Sequence, residues 1–246
     1  MTDSTTEIPE TDSLAAPTPS AVPMWLFPAV IVAAVVCGLL GEFVVGNFQR
    51  FYYPPDHDQL GDPPWYLVAV RQSMMINDSI GYGALGTLLF GILGALIGMA
   101  KSTARAGLGL ILGAIAGLIA GAVSGPIGYY IENTTFQSDI DSMLKVLMIL
   151  GTTFACFGLT GALLPVCLGV SKGVSRAIVI ALLVACLTMA AYATIASAVF
   201  PIGYPNSMFP KDVGIRYVLW GCLGLCSGLS AALIMRKPKS RAASEV

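Results

Sequence analysis

The chain has 246 residues, of which 56% are hydrophobic and only 11% are charged, and its mean hydropathy is +0.78. A soluble domain carries roughly 25% charged residues, so the composition excludes an ordinary water-soluble fold and indicates a lipid-embedded one. The formal net charge of −1 provides no electrostatic attraction to nucleic acid. We therefore expect the lipid bilayer as a partner and no nucleic-acid partner.

Runs of about 20 apolar residues are long enough to cross the hydrocarbon core of a bilayer. The sequence predicts six transmembrane helices from such runs, in chain order 24–46, 79–100, 104–125, 143–169, 175–199 and 214–236. We therefore predict an all-α fold, a polytopic membrane helix bundle of six transmembrane helices in three antiparallel hairpins. This transmembrane domain occupies residues 24–236.

The two tails of the chain differ in charge. Residues 1–23 contain four acidic residues and no Lys or Arg, whereas a cleaved signal peptide needs a basic n-region. We predict a retained first span that follows a disordered, acidic, cytoplasmic tail. Residues 237–246 are predicted to form a basic cytoplasmic tail.

The charges between the spans predict the orientation, because short loops rich in Lys and Arg stay in the cytoplasm. The second and third spans are joined by a link with Lys101 and Arg105, and the fourth and fifth by a link with Lys172 and Arg176. Both termini are therefore predicted to be cytoplasmic, in a plasma or inner membrane. Tyrosines are predicted to cluster at the outer boundary: Tyr52, Tyr53, Tyr66, Tyr82, Tyr129, Tyr130, Tyr204 and Tyr217.

Glycines recur every four residues in the third span. Four residues turn a helix by about 400°, so these glycines lie on one face, where a neighbouring backbone can approach closely. We predict that this glycine zipper makes the third helix the central and most tightly packed one, with similar packing positions on the sixth helix. The alternative is that glycine is simply common in membrane helices. The helix-packing residues are Gly109, Gly113, Gly117, Gly121, Gly125, Gly224 and Gly228.

A threefold hairpin repeat is a second interpretation of the same spans. The segments 91–97, 158–164 and 228–234 resemble one another, and each is followed by two basic residues four positions apart. Such matches also arise by chance in a chain rich in Gly, Ala and Leu. The basic pairs are Lys101 with Arg105, Lys172 with Arg176, and Lys237 with Arg241, and the predicted helix N-caps before the segments are Asp78, Asp141 and Asp212.

The residue inventory excludes several kinds of membrane enzyme. His57 is the only histidine, which excludes bis-histidine haem ligation and a Ser-His-Asp triad within the bundle. No aspartate is expected inside a span, and all six cysteines lie in spans, where they behave as small apolar residues. Asp56, His57 and Asp58 are consecutive and would alternate in direction on an extended segment, so a solvated loop is favoured over a metal site. We predict no enzyme activity, no cofactor and no metal.

Glu42 is expected to be the deepest charge. An ionisable group inside a membrane is a functional hypothesis, although interfacial snorkelling also accounts for one near a helix end. Pro165 can kink the fourth helix and free a carbonyl group. Hydroxyl groups either line a polar path or bond to their own helices, and the second is favoured. The hydroxyl residues are Thr87, Thr152, Thr153, Thr160, Ser227 and Ser230.

Two functions remain open from the sequence. The first is a membrane protein without a catalytic site, an accessory, assembly or structural subunit that acts through helix packing. Its partners would be other membrane subunits or further copies of itself in a homo-oligomer. The alternative is a small-solute transporter or channel with Glu42, Pro165 and Thr160 near its path.

Overall fold

The computed structural model describes residues 23–48, 64–135, 142–199 and 212–236. These residues form six long α-helices, and each is long and apolar enough to cross a membrane. The fold is therefore all-helical, of the kind expected for a multi-pass membrane protein. The helices are α1 (Leu26–Phe48), α2 (Pro64–Met99), α3 (Thr103–Thr135), α4 (Ser142–Cys167), α5 (Val174–Val199) and α6 (Val213–Met235).

Two of the six helices are much longer than predicted. The ends of α1, α4, α5 and α6 fall within two residues of the predicted spans, but α2 begins 15 residues earlier and α3 ends 10 residues later. At 1.5 Å per residue, the 36 residues of α2 extend about 54 Å, against about 30 Å for a bilayer core. The predicted spans covered about one bilayer thickness of each helix, whereas the apolar segments of these two helices run over Val68–Met99 and Thr103–Ile131.

The longer α2 overturns two expectations about Asp78. This residue lies inside the helix and not at its N-cap, and the membrane-length apolar segment Val68–Met99 contains it. The prediction that no aspartate lies within a span is therefore wrong. Asp141 lies outside the described residues. Asp212 is confirmed as an N-cap, because its Oδ1 accepts hydrogen bonds from the backbone N–H groups of Gly214 (2.7 Å) and Ile215 (3.3 Å).

The six helices form a closed ring in chain order. Each helix packs against the next, and α1 packs against α6; α4 also contacts α2 and α6. The even-numbered helices are the inner ones. The buried share of the apolar segment is 61% in α2, 44% in α4 and 72% in α6, whereas it is 39% in α1, 22% in α3 and 28% in α5. The core of the bundle is thus built mainly by α2, α4 and α6.

The prediction that the glycine-rich third helix is central is wrong, because α3 is the least buried of the six. Its glycines form one narrow stripe, and much of its remaining surface carries large apolar side chains that are exposed. Ile111 and Ile119, for example, are each 58% exposed. Close packing against one neighbour does not require burial on every side when the surroundings are apolar.

The glycine stripe of α3 lies against α2. A Cβ atom added to Gly117 would overlap the carbonyl oxygen of Gly86, and one added to Gly109 would overlap that of Gly94. The contacts run in opposite directions along the two helices. Gly113 and Gly121 likewise face the carbonyl groups of Phe90 and Tyr82, and Gly125 faces Ser79. All five predicted glycines therefore lie at this interface.

The predicted glycines of α6 lie against α1. A Cβ atom at Gly224 would overlap the carbonyl oxygen of Ala34, and one at Gly228 would lie 2.8 Å from the Ala34 Cβ. In return, a Cβ atom at Gly38 of α1 would overlap the carbonyl oxygen of Trp220. The α1–α6 contact that closes the ring is therefore also a close approach of two backbones. The division into three hairpins and the threefold repeat stay predictions.

Candidate functional site

The candidate site lies in the α1–α6 interface, near the end of the bundle where α1 finishes and α6 begins. Arg216 and Trp220 are four residues apart on α6, so their side chains lie on one face of the helix. Glu42 lies opposite them on α1, four residues after Gly38. The close backbone approach at Gly38 thus brings these three side chains within hydrogen-bonding distance.

Glu42, Arg216 and Trp220 form one hydrogen-bonded unit, here called the Glu42 cluster. Arg216 Nε donates to both carboxylate oxygens of Glu42, at 2.9 Å to Oε1 and 3.1 Å to Oε2, and its Nη2 donates to Oε1 at 2.7 Å. Trp220 Nε1 donates to Oε2 at 2.8 Å. The relative exposures of Glu42, Arg216 and Trp220 are 7%, 8% and 0%.

The Glu42 cluster satisfies the physical conditions for a buried charge. An ion removed from water is costly unless an opposite charge and hydrogen bonds compensate it. Here the guanidinium group neutralises the carboxylate, and both carboxylate oxygens accept N–H bonds. Glu42 is therefore a buried carboxylate that joins α1 to α6 through its hydrogen bonds, not an exposed, snorkelling side chain.

An aromatic seam continues from the Glu42 cluster into the core. The ring of Tyr82 meets Trp220 edge to face, with centroids 5.4 Å apart, and it also contacts Phe157 at 6.4 Å. Phe157 in turn lies 5.6 Å from Phe90. Aromatic pairs of this kind contribute about 0.5–1.5 kcal/mol each beyond their buried area, so the seam ties α2, α4 and α6 together. Tyr82 is fully buried, so its ring belongs to the core of the bundle, and its predicted place at the outer boundary stays a prediction.

Asp78 is a second carboxylate near the same level of the bundle. It is half-buried on α2, one helical turn before Tyr82, just as Arg216 lies one turn before Trp220. Since α2 and α6 run in the same direction and Tyr82 contacts Trp220, Asp78 and Arg216 lie at similar heights.

Sequence reasoning missed both Arg216 and Asp78 as interior charges. One arginine does not interrupt an apolar run, and Asp78 lay before the predicted start of its span. One sequence pattern could have indicated them. In each case a charged residue is followed four positions later by an aromatic one, Asp78 by Tyr82 and Arg216 by Trp220.

The structure does not bring Pro165 and Thr160 to Glu42. Pro165 lies two residues before the end of α4, and its carbonyl accepts bonds from the N–H groups of Val170 (2.8 Å) and Ser171 (3.1 Å). Thr160 donates to Cys156 O of its own helix at 2.8 Å. The two residues therefore belong to the half of the bundle that is remote from Glu42, roughly 20 Å away along the helices.

Most of the predicted hydroxyl residues bond to their own helices, as favoured. Five of these hydroxyl groups donate to the backbone carbonyl group four residues earlier in the same helix. They belong to Thr87, Thr152, Thr153, Thr160 and Ser227. Ser230 is the exception. Its Oγ is buried without a hydrogen-bond partner among the described residues, as is the Oη of Tyr192.

The described residues contain no group of three or more His, Cys, Asp or Glu side chains that could hold a metal ion. All six cysteines are free thiols. The Asp56–His57–Asp58 sequence, predicted to be a solvated loop, lies outside the described residues.

Comparisons with protein-family models, curated proteins and solved structures found no match to this chain.

Proposed function

We propose that this chain is an integral membrane protein without a catalytic site that acts as an accessory or assembly subunit through helix packing. The observation that supports it is the Glu42 cluster. Glu42, the most buried carboxylate of the described residues, is bound by a guanidinium and an indole N–H, so it serves to hold α1 on α6. A group that carries an ion or a proton has to be accessible along a path, whereas Glu42 is only 7% exposed.

The close glycine contacts support the same proposal. We infer that the α2–α3 interface functions as a glycine zipper and that the bundle is organised as three antiparallel hairpins. Without a strong hydrophobic drive between helices in lipid, close approach and van der Waals packing stabilise association. This chain uses such contacts on two helix pairs, and the spacing of Gly109 to Gly125 extends one of them over four helical turns.

The outer helices supply the surface through which such a subunit would act. Large apolar side chains on α3 and α5 point away from the core, including Leu183 at 65% and Leu187 at 70% exposure. In a membrane these faces meet lipid, a different membrane subunit or a second copy of this chain. We propose that both termini are cytoplasmic in a plasma or inner membrane, which reporter fusions after residues 103 and 173 test. A reporter at either position found on the opposite side from the carboxyl tail would contradict this topology.

Extraction in a mild detergent, followed by mass spectrometry of co-purifying proteins, tests the assembly role. We expect at least one membrane protein to co-purify in a fixed ratio and to be lost from Gly117→Leu, which separates α3 from α2. The control is Gly107→Leu, because a Cβ atom at Gly107 meets nothing within 4 Å. If the wild-type chain purifies alone, the accessory-subunit proposal is wrong.

The second candidate is a small-solute transporter or channel, and it is favoured by the buried hydroxyls of Tyr192 and Ser230. Buried polar groups without a protein partner commonly bind water, and a hydrated interior is a requirement for solute passage. Both residues are fully buried, on α5 and α6.

The variant that separates the two functions has to remove both charges of the cluster. Glu42→Gln alone would remove one charge of a buried ion pair, so any lost activity could reflect instability. The double variant Glu42→Gln, Arg216→Gln keeps polar groups at both positions without net charge. A transporter that needs the carboxylate would lose flux in proteoliposomes at normal abundance, whereas an assembly subunit would keep its co-purifying partner.

A further inference from the structure

Five cationic side chains lie at one end of the bundle, here called the basic end, where α2, α4 and α6 finish and α1, α3 and α5 begin. Each of them lies within two residues of an end of a membrane-length apolar segment, which is about 3 Å along a helix. In a bilayer this is the level at which the apolar core meets the lipid headgroups. The five residues are Lys101, Arg105, Lys172, Arg176 and Arg236.

No carboxylate neutralises these cations in the part of the chain that the structure describes. None of the five takes part in a salt bridge there, and the described residues within ten positions of each of them include no Asp or Glu. The opposite end of the bundle carries charges of both signs, with Asp212 near the Glu42–Arg216 pair. The basic end therefore has an excess of positive charge that the opposite end lacks.

The helix dipoles do not cancel this positive charge. A helix carries about half a positive charge at its start and about half a negative charge at its end. Three helix starts and three helix ends meet at the basic end, so their partial charges sum to nearly zero. The charge of the five side chains remains.

Backbone carbonyl groups at the ends of α4 and α6 hold two of the arginines in place. Arg105 Nη1 donates to the carbonyl oxygen of Leu168 at 3.4 Å, and Arg176 Nη2 donates to those of Leu233 (3.4 Å) and Arg236 (3.0 Å). A guanidinium group has five N–H donors, and each arginine uses only one of its nitrogens on the described residues. The other nitrogens can bind a phosphate group, for which arginine has a suitable geometry.

An exposed apolar stripe begins at each of these two arginines and runs along its helix. Residues three and seven positions after an arginine lie on the same side of the helix. Side chains in a helix lean towards its N-terminus, so Arg105 and Arg176 extend towards the headgroups, and the stripes lie deeper in the apolar core. The exposed stripe residues are Leu108 and Leu112 on α3, and Val179 and Leu183 on α5.

We propose that the basic end binds anionic phospholipids, with one headgroup phosphate at Lys101 and Arg105, another at Lys172 and Arg176, and the acyl chains along the two stripes. A soluble anion or an acidic protein would use the cations alone, whereas an anionic lipid uses the cations and the apolar stripes together. The proposal depends neither on the proposed function nor on which side of the membrane the basic end faces.

Electron paramagnetic resonance with spin-labelled lipids tests the proposal on the full-length protein in phosphatidylcholine bilayers. The fraction of motionally restricted label gives the association constant of phosphatidylglycerol relative to phosphatidylcholine. We expect a ratio of about five, because one cation near an anionic lipid strengthens binding by about this factor. The ratio should fall below about two in Arg105→Gln, Arg176→Gln, and most of it should remain in Arg105→Lys, Arg176→Lys, which keeps both charges.

Two single variants separate lipid binding from a folding defect. The exposed side chain of Lys172 bonds to no described residue, so Lys172→Gln removes a charge from the basic end without removing a contact within the bundle. It should lower the ratio. Lys145→Gln removes a charge from the first turn of α4, at the opposite end of the bundle, and should leave the ratio unchanged.

A ratio near one in the wild-type protein would overturn the proposal and favour an acidic protein as the partner of the basic end. A higher ratio that none of the glutamine variants at the basic end lowers would also overturn it, because other groups would then bind the lipid. Inorganic phosphate, added at constant ionic strength, distinguishes the two sources of a phosphate group. If it abolishes the preference, the site binds free phosphate and the lipid proposal is wrong.

Discussion

The α2–α3 and α1–α6 pairs both depend on glycines that lie against backbone carbonyl groups, and the α1–α6 pair in addition carries the buried ion pair of Glu42 and Arg216. The α2–α3 contact repeats along almost the full apolar length of both helices, whereas Gly38, Gly224 and Gly228 cover a shorter part of α1 and α6. A long stripe of backbone contacts holds neighbours that a three-residue link already joins. The α1–α6 pair joins helices at opposite ends of the chain, and directional hydrogen bonds there specify which helices meet.

The two helix pairs should therefore be destabilised by different kinds of substitution. The α2–α3 pair depends on shape, so an added methyl group should weaken it, while the loss of any one charge should not. The α1–α6 pair depends on charge compensation at one position, so it should be sensitive to which of its partners is removed.

The largest decrease in the free energy of unfolding is expected from Arg216→Met. It leaves the Glu42 carboxylate buried with only the Trp220 N–H, and breaking a buried ion pair costs about 3–5 kcal/mol. The free energy of unfolding in mixed detergent micelles measures it. The double variant Glu42→Leu, Arg216→Met should recover most of the loss, because apolar side chains can replace a buried pair at little cost. Equal losses in the single and double variants would contradict the charge argument.

Gly117→Ala should destabilise the α2–α3 pair by about 3 kcal/mol, at the upper end of the cost of overpacking, because the new methyl group overlaps the backbone of Gly86. Gly107→Ala is the matched control in the same helix. It has open space around it and should stabilise the protein by up to about 1 kcal/mol, since alanine favours a helix more than glycine does. The prediction fails if the two substitutions change stability in the same direction.

A smaller loss of stability is expected from Trp220→Phe. This substitution keeps an aromatic ring beside Tyr82 but removes the indole N–H that donates to Glu42. A hydrogen bond to a charged group contributes about 1.5 kcal/mol at the lower end of its range, and Arg216 still compensates the carboxylate. The same unfolding measurement applies. In the Glu42→Leu, Arg216→Met background the substitution should cost less, which a double-mutant cycle detects.

The smallest of these effects is expected from Asp212→Ala, which removes the N-cap of α6. Loss of such a cap costs about 1 kcal/mol, and Asp212→Asn should retain most of the stability because its side-chain oxygen can accept the same bonds. If alanine and asparagine behave alike, the cap contributes nothing to the fold.

The helices themselves were largely predictable from the sequence. The apolar runs predicted all six helices, and the ends of four of them to within two residues, because lipid-crossing segments require a minimum apolar length and a helix satisfies its own backbone. The full lengths of α2 and α3 were not predicted, although most of the added residues lie in the apolar segments Val68–Met99 and Thr103–Ile131, because each predicted span was limited to about the length that crosses a bilayer core.

Periodicity determined which face of α3 packs, but not what packs on it or how deep the helix lies. The stripe from Gly109 to Gly125 is a property of one helix, so the sequence could specify the stripe alone. Only the tertiary structure placed it against α2 at the edge of the bundle and set Glu42 of α1 against Arg216 and Trp220 of α6. Residues 174 positions apart leave no local pattern, because their pairing depends on how the ring of helices closes.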